Sequence, residues 1–136
     1  MKPIHLRNVP PPAETFNHTA FFDFMLSWIK PENYLELGVR DGGNFVTVAK
    51  HCVKAVGVDI IPPRVTIQPN MEYHQSTTDD YFNTLSDDIM FDVVFIDADH
   101  SYEQSLKDFL NVKDRVIEDG FIFFHDTYPY DPSMMD

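Results

Sequence analysis

Four short, unbroken apolar runs constrain the fold of this chain more than any other feature of its sequence. They alternate with polar or helical segments and lie at residues 34–37, 55–58, 91–96 and 121–124. A run of this kind is typical of a strand buried on both faces, as in a parallel sheet covered by helices. A weaker run at residues 71–74 predicts one further strand. The sequence therefore predicts an α/β fold with a mainly parallel sheet of about five strands.

A helix is predicted before the first strand. Apolar residues recur three and four positions apart between residues 20 and 29, Asn17 is a suitable N-cap, and Pro31 prevents the helix from continuing. This helix is expected to cover one face of the sheet. Three aromatic residues at helical spacing are predicted to face the core: Phe21, Phe24 and Trp28.

A crossover helix is predicted between the runs at residues 91–96 and 121–124. Ser101 and Gln104 have the spacing of a capping box, and Gly120 is the predicted end. Because the helix connects two strands of one sheet, a right-handed parallel crossover is expected. Its predicted apolar stripe consists of Leu106, Phe109, Leu110, Val116 and Ile117.

The length of the chain predicts a single domain. Its 136 residues suffice for one packed core and are too few for two ordinary domains. The prolines at positions 10–12 disfavour regular structure. Residues 1–14 are therefore predicted to be an extended N-terminal arm, and residues 15–136 to be the domain.

The charge and cysteine content narrow the possible partners and compartment. The 22 Asp and Glu residues against 10 Lys and Arg give a formal net charge of -12, which repels nucleic-acid backbones and anionic membrane surfaces. Neither is predicted as a partner. Cys52, the only cysteine, lies in an apolar helical pattern and is predicted to be a buried thiol. The sequence has no run of signal-peptide type and no long apolar run, so a cytoplasmic protein is expected.

A glycine-rich loop follows the first predicted strand. Glu36 and Gly38 lie at the end of that strand, Gly42 lies in the loop, and Asn44 is a candidate cap for the next helix. A strand, a glycine turn and a helix N-terminus place free backbone N–H groups around a ligand. Asp59, at the end of the second strand, can accept both hydroxyls of a ribose. The alternative is that the glycines only form tight turns and that Asp59 only ends a strand.

The pattern of this loop distinguishes between two classes of cofactor site. Arg40 stands where the nicotinamide-binding fingerprint G-x-G-x-x-G needs its second glycine. The loop instead resembles the first motif of class I methyltransferases, E/D-x-G-x-x-x-G. That resemblance implies S-adenosylmethionine as the cofactor and a Rossmann-like, doubly wound sheet with strand order 3-2-1-4-5. The cofactor-binding residues that it implies are Glu36, Gly38, Gly42, Asp59 toward the ribose, Ser76 toward the adenine, and Asp97.

Acidic residues and histidines follow the fourth and fifth predicted strands. Asp97 and His100 come after the fourth strand, and His125 and Asp126 after the fifth. Neighbouring parallel strands end at the same edge of a sheet, so these side chains are expected to converge beside the glycine loop. Carboxylates packed together raise one another's pKa unless a cation or a proton separates them. A bound divalent cation is the simplest arrangement.

This pair of strand ends resembles the metal-dependent small-molecule O-methyltransferases that act on sugars and, more distantly, on catechols. The resemblance implies that Asp97, His125 and Asp126 bind Mg²⁺ or Mn²⁺ and that His100 is the general base. His125 departs from the sugar-methylating enzymes, which have an acid there, and magnesium prefers oxygen ligands. The structural alternatives are that Asp99 or His100 helps to start a helix, and that His125 bonds to backbone at a strand end.

The resemblance ends shortly after the fifth strand. The C-terminal antiparallel strand pair of class I methyltransferases is missing, so the chain is a minimal member, a fragment, or a homodimer paired through its open sheet edge. The predicted function is metal-assisted O-methylation of a small-molecule hydroxyl. The alternatives are a non-catalytic module that binds the cofactor or a partner, and a metal-dependent hydrolase.

Overall fold

A parallel five-stranded sheet organises the protein, and the computed structural model describes residues 17–127. The strand order is β3-β2-β1-β4-β5, and all four neighbouring pairs are parallel. These findings confirm the predicted α/β fold and its strand order. The predicted arm at residues 1–14 lies outside the described residues. The strands are β1 (Asn33–Leu37), β2 (Lys54–Asp59), β3 (Met71–Gln75), β4 (Phe91–Ile96) and β5 (Val116–Phe124).

Helices connect these strands on both sides of the sheet. Residues 60–70, between β2 and β3, form no helix or strand, as expected for a proline-containing link. Across residues 17–127, no helix has the length and apolar character needed to cross a membrane. The helices are α1 (His18–Ile29), α2 (Gly43–Val48), which a short 3-10 turn (Ala49–His51) extends, α3 (Thr78–Thr84) and α4 (Tyr102–Val112).

The core consists of two apolar layers, one on each face of the sheet. Alternate residues of β1 point to opposite faces, so Tyr34 packs with Phe22 of α1 in one layer. Leu35 packs in the other layer with Tyr81 of α3 and Val112 of α4. Each such fully buried side chain contributes about 1.5–3 kcal/mol. The two layers account for the unbroken apolar runs of the central strands.

The predicted helix starts are confirmed by their hydrogen bonds. Asn17 Oδ1 accepts from the N–H of Ala20 at 3.3 Å, and Ser101 Oγ accepts from the N–H of Gln104 at 3.3 Å. Each bond satisfies one backbone donor that the first helical turn leaves unpaired. Lys30 ends α1 in the left-handed region with φ 49°, directly before Pro31.

The predicted length of the crossover helix is wrong. Helix α4 ends at Val112, and Val116, Ile117 and Gly120 belong to β5. Val116 pairs with Phe91, and the register then shifts before Val93 pairs with Phe121, which marks an irregularity in the strand. The apolar residues at 116 and 117 happen to fall at the spacing that continues the apolar pattern of α4. Only their pairing with β4 identifies them as part of a strand.

The aromatic face predicted for α1 is also wrong in part. Phe24 and Trp28 are 68% and 77% exposed, whereas Phe22 and Leu26 are buried. A helix that rests on a sheet through one narrow stripe buries residues four positions apart and leaves the opposite face in solvent. Phe21 is half-exposed, and the centre of its ring lies 6.2 Å from the centre of the Phe123 ring.

Helix α4 shows the same mismatch between apolar pattern and burial. Its buried residues are Asp108 and Val112, four positions apart. The predicted apolar stripe instead remains partly in solvent, with exposed fractions from 36% to 51% for Leu106, Phe109 and Leu110.

Cys52 follows the 3-10 turn and is half-buried rather than fully buried. Its thiol donates a hydrogen bond to the carbonyl of Val48 at 3.1 Å. Burial raises the pKa of this thiol to about 12, so the group remains protonated and unreactive at neutral pH.

Candidate functional site

Two adjoining cavities lie at the carboxyl ends of the strands. The first has a volume of about 700 Å³ and is lined by residues that include Asp59, Ser76 and Gln104. The second has a volume of about 570 Å³ and is lined by residues that include His18 and Glu36. Ligand sites of open α/β sheets occur at this edge. Residues lining both cavities are Gly38, Arg40, Ile61 and Asp97.

Gly38 lets the ends of β1 and β4 approach each other closely. A Cβ at this position would lie 2.2 Å from the carbonyl oxygen of Asp97, and the residue has φ +87°. The N–H of Asp97 donates to the carbonyl of Leu37 at 2.8 Å. Since glycine alone tolerates both constraints, it brings Asp97 to the boundary between the cavities.

Gly42 has a different structural task. It has φ +90°, and a Cβ there would lie 2.5 Å from Cγ2 of Val65 in the link between β2 and β3. Gly42 is absent from the residues lining the two cavities described above. The structure thus places this predicted cofactor residue against the link, where it shapes the loop.

Asp59 holds the glycine loop in place while also lining the first cavity. Its Oδ2 accepts from the N–H groups of Val39 at 2.8 Å and Arg40 at 2.7 Å, and its Oδ1 accepts from the N–H of Ile61 at 3.1 Å. A carboxylate offers about four lone-pair sites. Asp59 therefore retains acceptor capacity for a ligand hydroxyl.

Glu36 is a buried acid within a small polar network. Its Oε2 accepts from the hydroxyl of Tyr34 and from Nδ2 of Asn44, both at 2.7 Å. Burial raises the pKa of Glu36 to about 8. The prediction that Asn44 caps α2 is wrong, because Asn44 lies inside the helix and its amide is committed to Glu36; Asp41 Oδ1 accepts from the N–H of Gly43 at 3.1 Å instead.

Ser76 follows β3 at the wall of the first cavity. Its backbone N–H donates to the carbonyl of Asp59 at 3.0 Å, and its Oγ is buried without a hydrogen-bond partner. Thr77 caps α3 by accepting from the N–H of Asp80 at 3.1 Å. A buried hydroxyl without a partner is costly unless a ligand or water completes it.

The acidic and histidine residues after β4 and β5 come together as the topology predicts. His125 Nδ1 lies 3.2 Å from Asp97 Oδ1 and 3.1 Å from Asp126 Oδ2. His100 Nε2 lies 3.7 Å from Asp97 Oδ1 and 3.8 Å from Asp126 Oδ2. One ligand atom from each of Asp97, His100 and His125 lies within 4.8 Å of the others. His100 therefore belongs to the same donor set as the three predicted metal ligands.

Asp99 has the structural role that the sequence left open. Its Oδ1 accepts from the N–H of Ser101 at 2.7 Å, and this hydrogen bonding lowers the pKa of the Asp99 carboxyl. Its carbonyl also accepts from the hydroxyl of Ser105 at 3.1 Å. Asp99 thus helps to start α4, while His100 points its imidazole toward the cluster.

The donor set fits a divalent cation. Asp97 Oδ1 and His125 Nδ1 are both buried and lack a hydrogen-bond partner, although they are 3.2 Å apart. Burial also raises the pKa of Asp97, which is only 6% exposed. A cation between these atoms would satisfy both and offset the burial of the charge. Asp126 is more exposed and adopts φ +51°, a strained conformation beside the cluster.

His18 is the functional-site residue that sequence reasoning missed. It begins α1, and the centre of its ring lies 4.9 Å from the ring centre of His125 and 5.7 Å from that of Phe95. Burial lowers the pKa of His18. Its place next to the helix cap carries no signal of this role, because the contact depends on how α1 packs over the end of β5.

Solved structures with the same fold include proteins with different reactions. Cofactor-bound Rv0187 from MTB has a TM-score of 0.65 at 19% identity, over 86% of this chain and 58% of its own. The O-methyltransferase TomG from Streptomyces achromogenes, in complex with SAM, has a TM-score of 0.64 at 14% identity, over 79% and 54%. Spermidine synthase from Thermotoga maritima has a TM-score of 0.65 at 19% identity, over 86% and 47%.

At these identities the likeness establishes the fold alone, and the chain spans about half to three fifths of the length of these structures. No curated protein matches the sequence. The family described as "Methyltransferase domain" matches residues 35–127, from β1 through the acidic and histidine cluster. Because this match covers most of the chain, the protein belongs to the methyltransferase domain family.

Proposed function

We propose that this chain is an S-adenosylmethionine-dependent methyltransferase that methylates a hydroxyl of a small molecule with the help of a divalent cation. The observation that carries the proposal is the place of Asp97, at the boundary of two cavities and in contact distance of His100 and His125. One cavity can hold the cofactor while the acceptor binds at the donor set.

The charge of the first cavity suits a cationic cofactor. Four carboxylates and one guanidinium are among its lining groups. A field of this sign attracts the sulfonium of S-adenosylmethionine and repels the phosphates of a nucleotide. Asp59 has acceptor capacity for the ribose, and Ser76 offers a hydroxyl for the adenine. The lining residues named here are Asp59, Asp79, Asp97, Asp99 and Arg40.

Asp97, His125 and Asp126 would hold the cation, which leaves His100 beside the set as the base. When bound, the cation lowers the pKa of an acceptor hydroxyl and orients it. Imidazole nitrogen suits Mn²⁺ and related transition metals better than Mg²⁺, which prefers oxygen. We therefore favour Mn²⁺.

The proposed transfer needs one base. A lone pair of the acceptor oxygen forms the new bond to the methyl carbon, the bond from that carbon to sulfur breaks with its electrons on sulfur, and S-adenosylhomocysteine leaves. His100 takes the hydroxyl proton, since its side chain is 46% exposed and reaches the mouth of the site. Asp97 supplies negative charge near the cationic sulfur.

The proposal also covers partners and compartment. The net charge of -12 argues against nucleic acid and anionic membranes as partners. Among the described strands, β5 is an edge strand with one neighbour, which supports the predicted homodimer through that edge. A single, half-buried cysteine suits the reducing cytoplasm.

The test is methyl transfer from labelled S-adenosylmethionine to a panel of hydroxylated small molecules, with Mn²⁺ or Mg²⁺. We expect Asp97→Asn to fold and to lose activity by about 100-fold or more. Asp119→Asn is the matched control, because Asp119 is exposed on β5 and lines neither cavity described above. Full turnover by Asp97→Asn would contradict the proposal.

A second candidate is a non-catalytic module that binds the cofactor. The observation in its favour is that the solved structures with this fold include both an O-methyltransferase and a spermidine synthase, so the fold by itself does not specify methyl transfer. This candidate predicts that S-adenosylhomocysteine binds and that no member of the acceptor panel is methylated. A single methylated product would exclude it.

A further inference from the structure

Three polar side chains from α3 and α4 form a hydrogen-bonded triad beside the first cavity: Thr78, Gln104 and Asp108. Thr78 Oγ1 donates to Asp108 Oδ1 at 2.6 Å. Gln104 Nε2 donates to the same oxygen at 3.0 Å and to Thr78 Oγ1 at 3.1 Å. Asp108 is 0% exposed, and Thr78 is 9% exposed. These hydrogen bonds orient the three side chains relative to one another, while Asp108 Oδ2 is buried without a hydrogen-bond partner.

The triad determines which end of the Gln104 amide is available to a ligand. The amide nitrogen is a donor only, and it faces both Thr78 Oγ1 and Asp108 Oδ1. A flipped amide would place Gln104 Oε1 against a carboxylate oxygen, with no hydrogen between two acceptors. The carbonyl oxygen is therefore directed away from Asp108. Within residues 17–127 no hydrogen-bond donor reaches Oε1, and Gln104 lines the first cavity.

Ser76 supplies an independent sign of a ligand in the same cavity. Its Oγ is buried and lacks a partner among the described residues. A fixed carbonyl acceptor and a hydroxyl that can donate fit a planar heterocycle with an amino group next to a ring nitrogen. The edge of adenine formed by its 6-amino group and N1 has this pattern.

We infer that Gln104 Oε1 accepts a hydrogen bond from the 6-amino group of the cofactor's adenine, and that Thr78 and Asp108 are positioning residues for this amide. This inference rests on the proposed function, which places S-adenosylmethionine in the first cavity. In a purine with a 6-oxo group, the 6-oxygen would face Gln104 Oε1. Both oxygens are acceptors, so neither would receive a hydrogen bond from the other. Gln104 thus determines specificity for adenine over hypoxanthine.

The experiment compares calorimetric titrations with S-adenosylhomocysteine and S-inosylhomocysteine, which carry adenine and hypoxanthine. We expect the native protein to prefer the adenine ligand by about 10- to 100-fold, as for a buried polar group left without its partner. In Gln104→Met, which has similar length and no polar end, the preference should fall to about threefold or less. Gln68→Met is the matched control and should keep the native preference, since Gln68 is exposed in the link.

A second variant separates positioning from folding. Thr78→Val keeps Gln104 and removes one of the two acceptors that orient its amide, so its preference should lie between those of the native protein and Gln104→Met. An unchanged preference in Gln104→Met, with S-adenosylhomocysteine still bound, overturns this inference alone. Absence of S-adenosylhomocysteine binding to native protein that unfolds cooperatively overturns the proposed function, and this inference with it.

Discussion

Replacement of Gly38 by alanine tests whether the close approach of β1 and β4 builds the site. The added Cβ would lie 2.2 Å from the carbonyl oxygen of Asp97 and 2.6 Å from Cα of Ala98. Both are backbone atoms, so no change of rotamer relieves the contact. Left-handed backbone, here φ +87°, costs an L-residue about 1–2 kcal/mol. Overpacking adds about 1–3 kcal/mol.

These two costs give an expected loss of about 2–5 kcal/mol in the free energy of unfolding. For a chain of this size, the melting temperature should fall by about 7–17 °C. Gly43→Ala in the same loop is the matched control. A Cβ at Gly43 would lie 3.5 Å from Asp41 Oδ1, which is an ordinary contact. Because alanine favours helix over glycine by about 1 kcal/mol, this variant should be as stable as the native protein or slightly more so.

Urea and thermal unfolding, followed by circular dichroism, measure both effects. Titration with S-adenosylhomocysteine shows whether displacement of Asp97 also weakens cofactor binding, as we expect for Gly38→Ala. A Gly38→Ala protein within about 0.5 kcal/mol of native stability would refute the reasoning. So would a Gly43→Ala protein that is destabilised to the same degree.

Three further predictions concern acid, core and metal. Burial raises the pKa of Glu36 from 4.5 to about 8, so the unfolded chain ionises first and native stability should fall as pH rises between these values. Urea unfolding at a series of pH values should show a smaller fall for Glu36→Gln, and the same dependence of stability on pH in both proteins would contradict this. Phe22→Ala should lower the free energy of unfolding by about 3–5 kcal/mol and Trp28→Ala by less than about 0.5 kcal/mol, because Phe22 is 2% exposed and Trp28 is 77% exposed. Similar losses for the two variants in thermal unfolding would show that the assigned burial is wrong. His125→Asp replaces a proposed nitrogen ligand by an oxygen ligand, so the ratio of Mn²⁺ affinity to Mg²⁺ affinity, measured by calorimetry, should fall by about tenfold. An unchanged ratio would argue against His125 as a ligand.

Much of the fold is determined by patterns and interactions among residues that are close together in the sequence. Unbroken apolar runs identified the central strands β1, β2 and β4, since a strand buried on both faces needs no polar residue. The edge strands β3 and β5 gave a weaker run and a run shorter than the strand. Asn17 and Ser101 were recognisable as caps because each bonds to a backbone N–H three residues ahead. Parallel topology then brought Asp97 and His125 to one edge of the sheet, since neighbouring parallel strands end on the same side.

Tertiary packing decided the rest. Val116 lies in a strand because it pairs with Phe91, and helical spacing alone gave the wrong element. Trp28 is exposed because α1 presents only a narrow stripe to the sheet. His18 reaches the site because α1 packs over the end of β5, and Gln104 is oriented by Asp108 and by Thr78 from another helix. Sequence by itself determined the order of strands and helices and which strand ends meet. Contacts between distant segments, which no local pattern encodes, decided where α4 gives way to β5 and which side chains point into the cavities.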